Sequence, residues 1–323
     1  MVSFFKDKSA VAVFWLVLVC FGLHVHSLVN PPRVSISPAD GFFYYLLKPL
    51  QNADTYFASL FYVFIIFVLA LQLNFILNNL HMFPRPSFTP ALAFVLFSAL
   101  LPAFNDISSA LFACNFVIWI LYQACKLYAA PNAKTSIFNL GLLAGLSVIL
   151  YYPSLPLVFI VIIALAIIRP FNLNEWFVLF FGIITPAYFL IVYLFLTDTF
   201  NLLPLPKEIF DLLKLPLQPS FIITSLVVTA LIIIWGIFSV KKSRGKVLIQ
   251  VRKSWSVFFA SLLLFIPVVF FMNGAYPSAL LLVAVPAAGY TGFAFASNRN
   301  IVPVVFFWVL AGLAVYNNWF AKY

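Results

Sequence analysis

Charge is what this sequence has least of: 18 Lys and Arg and 8 Asp and Glu stand in 323 residues, 65% of which are hydrophobic. So little polar surface cannot wrap a water-soluble core, which excludes a soluble enzyme or a soluble binding module. Cysteine is scarce too, and Cys20, Cys114 and Cys125 all fall in apolar runs. That scatter excludes a disulfide framework and a cysteine metal site. Of the three histidines, His24 and His26 are two apart. On a continuous helix such a pair points to different sides, so we expect interfacial residues near the end of a span and no metal site. No Walker loop, dinucleotide-binding glycine pattern or serine nucleophile elbow occurs, which removes the motif-based case for nucleotide or serine-hydrolase chemistry. Almost no ionisable residue falls well inside an apolar run, which lowers the standing of an ion-coupled transporter.

Long apolar runs and aromatics are what the chain does have. They lack the alternation of a membrane β-barrel and are long enough for helices, so the expected fold is all-α, a polytopic transmembrane bundle. We place spans at about 10–29, 55–77, 88–104, 107–125, 137–152, 154–168, 175–197, 220–240, 255–272, 275–295 and 300–317, eleven in all. The first has the charged start and apolar middle of a signal peptide but no small-x-small cleavage site, and is read as a span. Tight connections at "AFND", "YYPSLP" and "NGAYPS" make the joined helices antiparallel neighbours, either spanning or re-entrant. No internal repeat emerges. Residues 1–323 form one integral membrane domain, with an outer interfacial segment at 37–54 and a basic cytoplasmic loop at 241–254. Gln72, Asn74 and Asn115 are expected to hydrogen-bond between helices.

Orientation follows from Lys and Arg. With the N-terminus inside, thirteen fall on the inner side, six of them in "KKSRGKVLIQVRK", and five (Arg33, Lys48, Lys207, Lys214 and Lys322) on the outer. Arg169 reads as an inner-face anchor and Glu175 as a helix N-terminal charge. The basic loop suits anionic lipid headgroups; with no folded module around it, nucleic acid is not expected as a partner. The same topology gathers Asp40, Asp54, Asp106, Asp198, Glu208 and Asp211 outside, so the outer face carries the polar work of the protein.

In "SPADGFFYYLLKPLQNAD" the apolar Phe42, Phe43, Leu46, Leu47 and Leu50 fall at helical spacing, with Tyr44, Tyr45 and Lys48 opposite. This predicts a short helix in the outer headgroup plane, begun by Asp40 and ended near Pro49, whose residues Phe42, Phe43, Tyr44, Tyr45 and Lys48 meet lipid and interface. Two roles stand open for the acids. Asp40, Asp54 and Asp106 cap the interfacial helix, the second span and the fourth; or Asp40 and Asp106 meet above the bundle as a catalytic base or metal ligand.

The order of charged start, span, outer loop with Asp40 and an aromatic interfacial helix, span, and tight outer turn with Asp106 resembles the GT-C class of polytopic glycosyltransferases. The segment "SIFNLGLLAGLSVILYYPSLPLVFIVIIALAIIRP" is similar to the glycine-containing hairpin of that class. The resemblance covers about the first half of the chain and implies a polyprenyl-phosphate sugar as substrate, with Asp40 and Asp106 as acids; the usual Asp-Glu pair of the first loop is reduced here to "ADGFF". Through "LALQLNFILNN", "GLLAGLSVILYYPSLPLVF" and "IIRPFNLNEW" the chain also resembles an uncharacterised family of polytopic inner-membrane proteins of Bacteroidota. That resemblance implies the bacterial inner (cytoplasmic) membrane and a role in envelope biogenesis, without an activity or a cofactor. Three classes remain: a lipid-linked glycosyltransferase or related lipid-handling enzyme, a non-catalytic membrane subunit of an envelope assembly or secretion complex with protein partners, and a lipid flippase or facilitator. A cysteine placed at Ser243 should stay unlabelled by a membrane-impermeant maleimide in intact cells and react after permeabilisation; labelling of intact cells would reverse the topology.

Overall fold

The computed structural model describes residues 2–7, 9–35, 40–52, 54–130, 133–199, 220–243, 245, 247–267, 277–297 and 301–320. Several charges used for orientation, among them Lys8, Lys207, Glu208, Asp211, Lys214, Arg244, Lys246, Arg299 and Lys322, lie outside these, as do residues 37–39 and most of the "NGAYPS" turn. Among the described residues every regular element is helical: α1 (Ala10–Leu23), α2 (His26–Val29), α3 (Phe43–Leu47), α4 (Thr55–Asn79), α5 (Thr89–Ser98), α6 (Ser109–Lys126), α7 (Ala133–Leu150), α8 (Pro156–Ile168), α9 (Leu173–Leu196), α10 (Ser220–Ser243), α11 (Ile249–Phe265), α12 (Leu281–Ser297) and α13 (Val302–Trp319). Local chemistry sets several starts. Ser9 accepts the Ala12 N–H at 3.2 Å, Asn172 accepts the Asn174 N–H at 3.1 Å, and prolines occupy the first turns of α5, α8 and α13, where the missing N–H costs nothing.

Each of the eleven expected segments carries a helix of ten residues or more. Seven are long and apolar enough by themselves to cross a bilayer; those at Ala10–Leu23, Thr89–Ser98 and Tyr152–Ile168 are shorter, as is Ile249–Phe265 with 17 residues. The difference is instructive at α5. Its ten residues span about 15 Å, half of a hydrocarbon core, and every one is buried. α1, α4, α12 and α13 pack around it, so α5 is the axis of the bundle rather than a lipid-facing span.

Hydrogen bonds sort the helix ends into two groups. At one end Arg169 pairs with Glu175 at 3.0 Å and donates to the Leu127 carbonyl at 3.1 Å, and Lys253 donates to the Ile168 carbonyl at 2.8 Å. At the other, Ser59 donates to the Ser27 carbonyl at 2.7 Å and Tyr62 to that of Phe104 at 3.0 Å. Asp40 and Asp106 belong to this second end. The interhelical amides are Asn79, Asn317 and Asn318. Gln72 and Asn74, expected in that role, instead leave their side-chain oxygens buried without a partner.

One seam departs from leucine-rich packing. Gly141 and Gly145 on α7 face Gly182 and its neighbours on α9 so closely that a Cβ at Gly141 would stand 2.6 Å from the Leu179 carbonyl oxygen, and one at Gly145 would overlap that of Ile183. Lipid tails offer apolar side chains no less than a neighbouring helix does, so close backbone approach is what holds α9. Its other faces, including Phe177, Phe181, Tyr188 and Phe189, are exposed. Gly145→Leu should therefore lower thermal stability in detergent by about 1–3 kcal/mol or more through overpacking. Gly22→Ala, at a position with open space around it, should not; scanning fluorimetry of the two purified variants decides the matter.

Candidate functional site

The first loop of the acid-bearing end is stitched to the turn after α5. Val34 bridges Ile107, with Ser35 N–H donating to the Ile107 carbonyl at 3.3 Å and Ile107 N–H to the Arg33 carbonyl at 3.0 Å. Beside this bridge the Asp106 carboxylate accepts the Arg33 N–H at 3.2 Å. Asp106 thus does not cap α6: Ser108 holds that position. Its carboxylate instead clasps two loops 73 residues apart in sequence. Burial raises the Asp106 carboxyl above its ordinary range, while the Arg33 N–H and charge pull it back in part.

Asp40 is buried at 4% exposure. The chain beside it presses on the end of α7. Gly41 has φ +54°, and a Cβ there would lie 2.9 Å from the Leu150 carbonyl oxygen. Phe42 N–H then donates to the Ile149 carbonyl at 3.2 Å. Helix α3 starts three residues after Asp40, with Phe42 in the N-cap position, so Asp40 does not begin it as expected. Its neighbour is Tyr151, just beyond α7. Burial, and then the Asp40 carboxylate, push the Tyr151 phenol up, and a hydrogen bond with Ser278 offsets part of this. Asp54 does stand at the N-cap of α4, but only its backbone carbonyl is engaged, accepting Ala58 N–H at 2.9 Å.

The two acids therefore share an end of the bundle but serve different elements: Asp106 lies by Arg33 and Tyr62, Asp40 by Tyr151. The turn at Pro102–Phe104 touches Pro277–Leu280, which carries Ser278, and links the two neighbourhoods.

Helix α3 packs one side against the bundle. Phe43 packs on Phe112 with ring centroids 5.9 Å apart, Leu47 is buried, and Tyr44, Tyr45 and Lys48 are exposed. Leu46 lies at 61% exposure on the rim of a groove. That groove, about 380 Å³, runs between Phe42, Tyr45 and Leu46 on one side and Leu146, Ile149, Pro186 and Leu190 on the other. Its walls are apolar, and one wall ends at the turn that buries Asp40.

The histidines do not sit on one continuous helix. α1 stops at Leu23 and α2 begins at His26, so the pair straddles a break and the two-residue helical offset does not apply. Both side chains are buried, with ring centroids 6.3 Å apart, and His24 stands edge-to-face with Tyr62 at 5.6 Å. Around them runs a polar network. Asn105 donates to Asn318 at 2.7 Å, Asn318 to the Ala99 carbonyl at 2.8 Å, and Asn317 to the Leu100 carbonyl and to Ser225, both at 2.8 Å. The "NPP" that follows "LHVHSLV" is the one sequence signal of a break nearby. Among the described residues no three His, Cys, Asp or Glu side chains come together to hold a metal ion, and all three cysteines are free and buried.

A family model matches residues 34–317, most of the chain. The chain belongs to DUF6427, a family of unknown function. No curated protein and no solved structure matches it. The DUF6427 match takes in Asp40, Asp106, the glycine seam and Asn317 of α13, and begins after the histidine pair.

Because folding raises the Asp106 carboxyl, the native state holds that proton more tightly than the unfolded chain, and the stability so gained is lost as pH rises through the native value. Asp106→Asn, which mimics the protonated form and keeps an acceptor for Arg33, should be at least as stable as the parent at pH 7.5. The two should converge as pH falls toward about 4. Asp106→Ala, lacking the acceptor, should cost about 1 kcal/mol. Melting curves across that range test all three.

Proposed function

We propose that this protein handles a lipid-linked substrate of the bacterial envelope, working in the inner membrane with its acid-bearing end turned away from the cytoplasm. The observation that carries this reading is the apolar groove between α3, α7 and α9, whose wall ends at the turn holding the buried Asp40. A molecule with one apolar chain and one polar head suits that arrangement: the chain lies in the groove, open to the exposed aromatic face of α9, and the head reaches Tyr45, Lys48 and Asp40. Polyprenyl-phosphate sugars have this form, and the GT-C resemblance of the first half points to the same class. In that reading Asp40 is the base or substrate-binding acid, and Asp106 holds the loop that positions the substrate from the other side.

Purified protein should carry a polyprenyl phosphate detectable by mass spectrometry, at a level above that of an unrelated polytopic protein from the same membranes. Leu190→Trp, which fills the groove from its lipid-facing helix, should lower that level at least tenfold at unchanged abundance. Absence of enrichment in the parent overturns the reading. Asp40→Asn should keep the lipid and abolish the cellular function. A fully active, normally abundant Asp40→Asn, Asp106→Asn double variant would remove catalysis and leave a carrier or flippase.

A further inference from the structure

The groove beside Asp40 has a floor. Gly145 of α7 meets Ile183 of α9 so closely that a Cβ on the glycine would overlap the Ile183 carbonyl oxygen, and a Cβ on Gly182 would stand 3.2 Å from the Gly141 Cα. The residue after Gly145 is Leu146, and Pro186 comes three after Ile183; both line the groove. The two helices therefore part directly above their backbone contact. No chain passes between them below that point, and one reaching farther down can only lie outside the seam, among bilayer lipid.

The floor sets a length. Leu146 and Leu150 mark the extent of the groove on α7, and Pro186 and Leu190 on α9. Each pair is four residues apart, about 6 Å along a helix, and with the side chains at either end the groove is on the order of 10 Å deep. An extended chain advances roughly 1.2 Å per bond, by the same geometry that gives an extended peptide about 3.3–3.6 Å for its three backbone bonds. One isoprene unit, with four bonds along the chain, is thus roughly 5 Å long, and two fill the groove. Its volume of about 380 Å³ is also near the small end of ligand sites, about 300–1,000 Å³. At the open rim Leu46 is 61% exposed, which leaves a way out sideways.

We propose that the groove recognises only the two isoprene units next to the polar head of a polyprenyl phosphate, and that the rest of the chain leaves past Leu46 into the bilayer. This rests on the lipid-handling reading and sharpens it: the head and the first two units are read, and chain length is not. The physical reason is that lipid tails are as apolar as the protein surface, so a unit that stays in the bilayer gains nothing when the head binds. The glycine seam thereby acts as a ruler, because its backbone contact fixes how far the chain can enter.

Polyprenyl phosphates carrying a photoreactive diazirine at a chosen unit test this on the full chain in nanodiscs. A diazirine on the first or second unit should label Leu146, Ile149 or Leu190, located by peptide mass spectrometry. Moving it to the fourth unit or beyond should lower that labelling about tenfold, and Leu190→Trp should remove it. Unlabelled phosphates of three units and of ten should compete within about threefold of one another at equal mole fraction in the bilayer. Distal probes that label the groove as strongly as proximal ones, or competition that improves steadily from three units to ten, would overturn the ruler and leave the lipid-handling reading in place. If no probe labels the groove saturably, both fall together.

Discussion

Backbone carbonyls released where a helix stops must find donors, and inside a bilayer no water is at hand to supply them. The end of α5 places this demand at the centre of the bundle. Ala99 and Leu100 offer carbonyls to Asn318 and Asn317, and Phe104 offers one to Tyr62, all at 2.8–3.0 Å. Three side chains from α4 and α13 thereby fix where the chain turns, and with it the positions of Asp106 and of the loop carrying Arg33. A short central helix is stable here because its ends are finished by other parts of the chain.

The glycine seam has the opposite character. It asks for the absence of side chains, so that α7 and α9 meet backbone to backbone at Gly141, Gly145 and Gly182. Farther along, Pro186 on α9 and Leu146 and Ile149 on α7 line the groove, which α3 closes from above. Close approach below and separation above are both written in small or constrained residues, and together they shape an apolar recess next to a buried carboxylate.

Much of this was legible beforehand. Apolar runs locate the eleven helices of ten residues or more among the described residues, because burial in lipid or bundle demands continuous hydrophobicity; of the expected apolar face Phe42, Phe43, Leu46, Leu47 and Leu50, Phe43 and Leu47 are buried and Leu46 is exposed. What spacing could not supply was context. On an unbroken helix His24 and His26 point to different sides, whereas the break after α1 leaves their ring centroids 6.3 Å apart. Of the two roles open to Asp40 and Asp106, capping does not hold, since the caps of α3 and α6 fall at Phe42 and Ser108 and the carboxylates lie by Tyr151 and the Arg33 N–H. Gln72 and Asn74, at which the apolar pattern points, leave their oxygens without a partner, while Asn317 and Asn318 bond the carbonyls of a turn whose location that pattern does not mark. Pairing within an end of the bundle depends on distances between segments far apart in sequence.

The asparagines of α13 also impose an order in time. Asn318 reaches back 219 residues to Ala99, and Asn317 reaches 217 to Leu100. At a synthesis rate of roughly 5–20 residues per second, the carbonyls after α5 wait on the order of 10–40 seconds between leaving the ribosome and meeting their donors. During that interval the central turn needs a temporary partner, from headgroup water or from an insertion factor, and the bundle cannot close around its axis until the last helix is made. A chain cut short before α13 would keep every earlier helix and still lack the two amides that finish the first turn of its core.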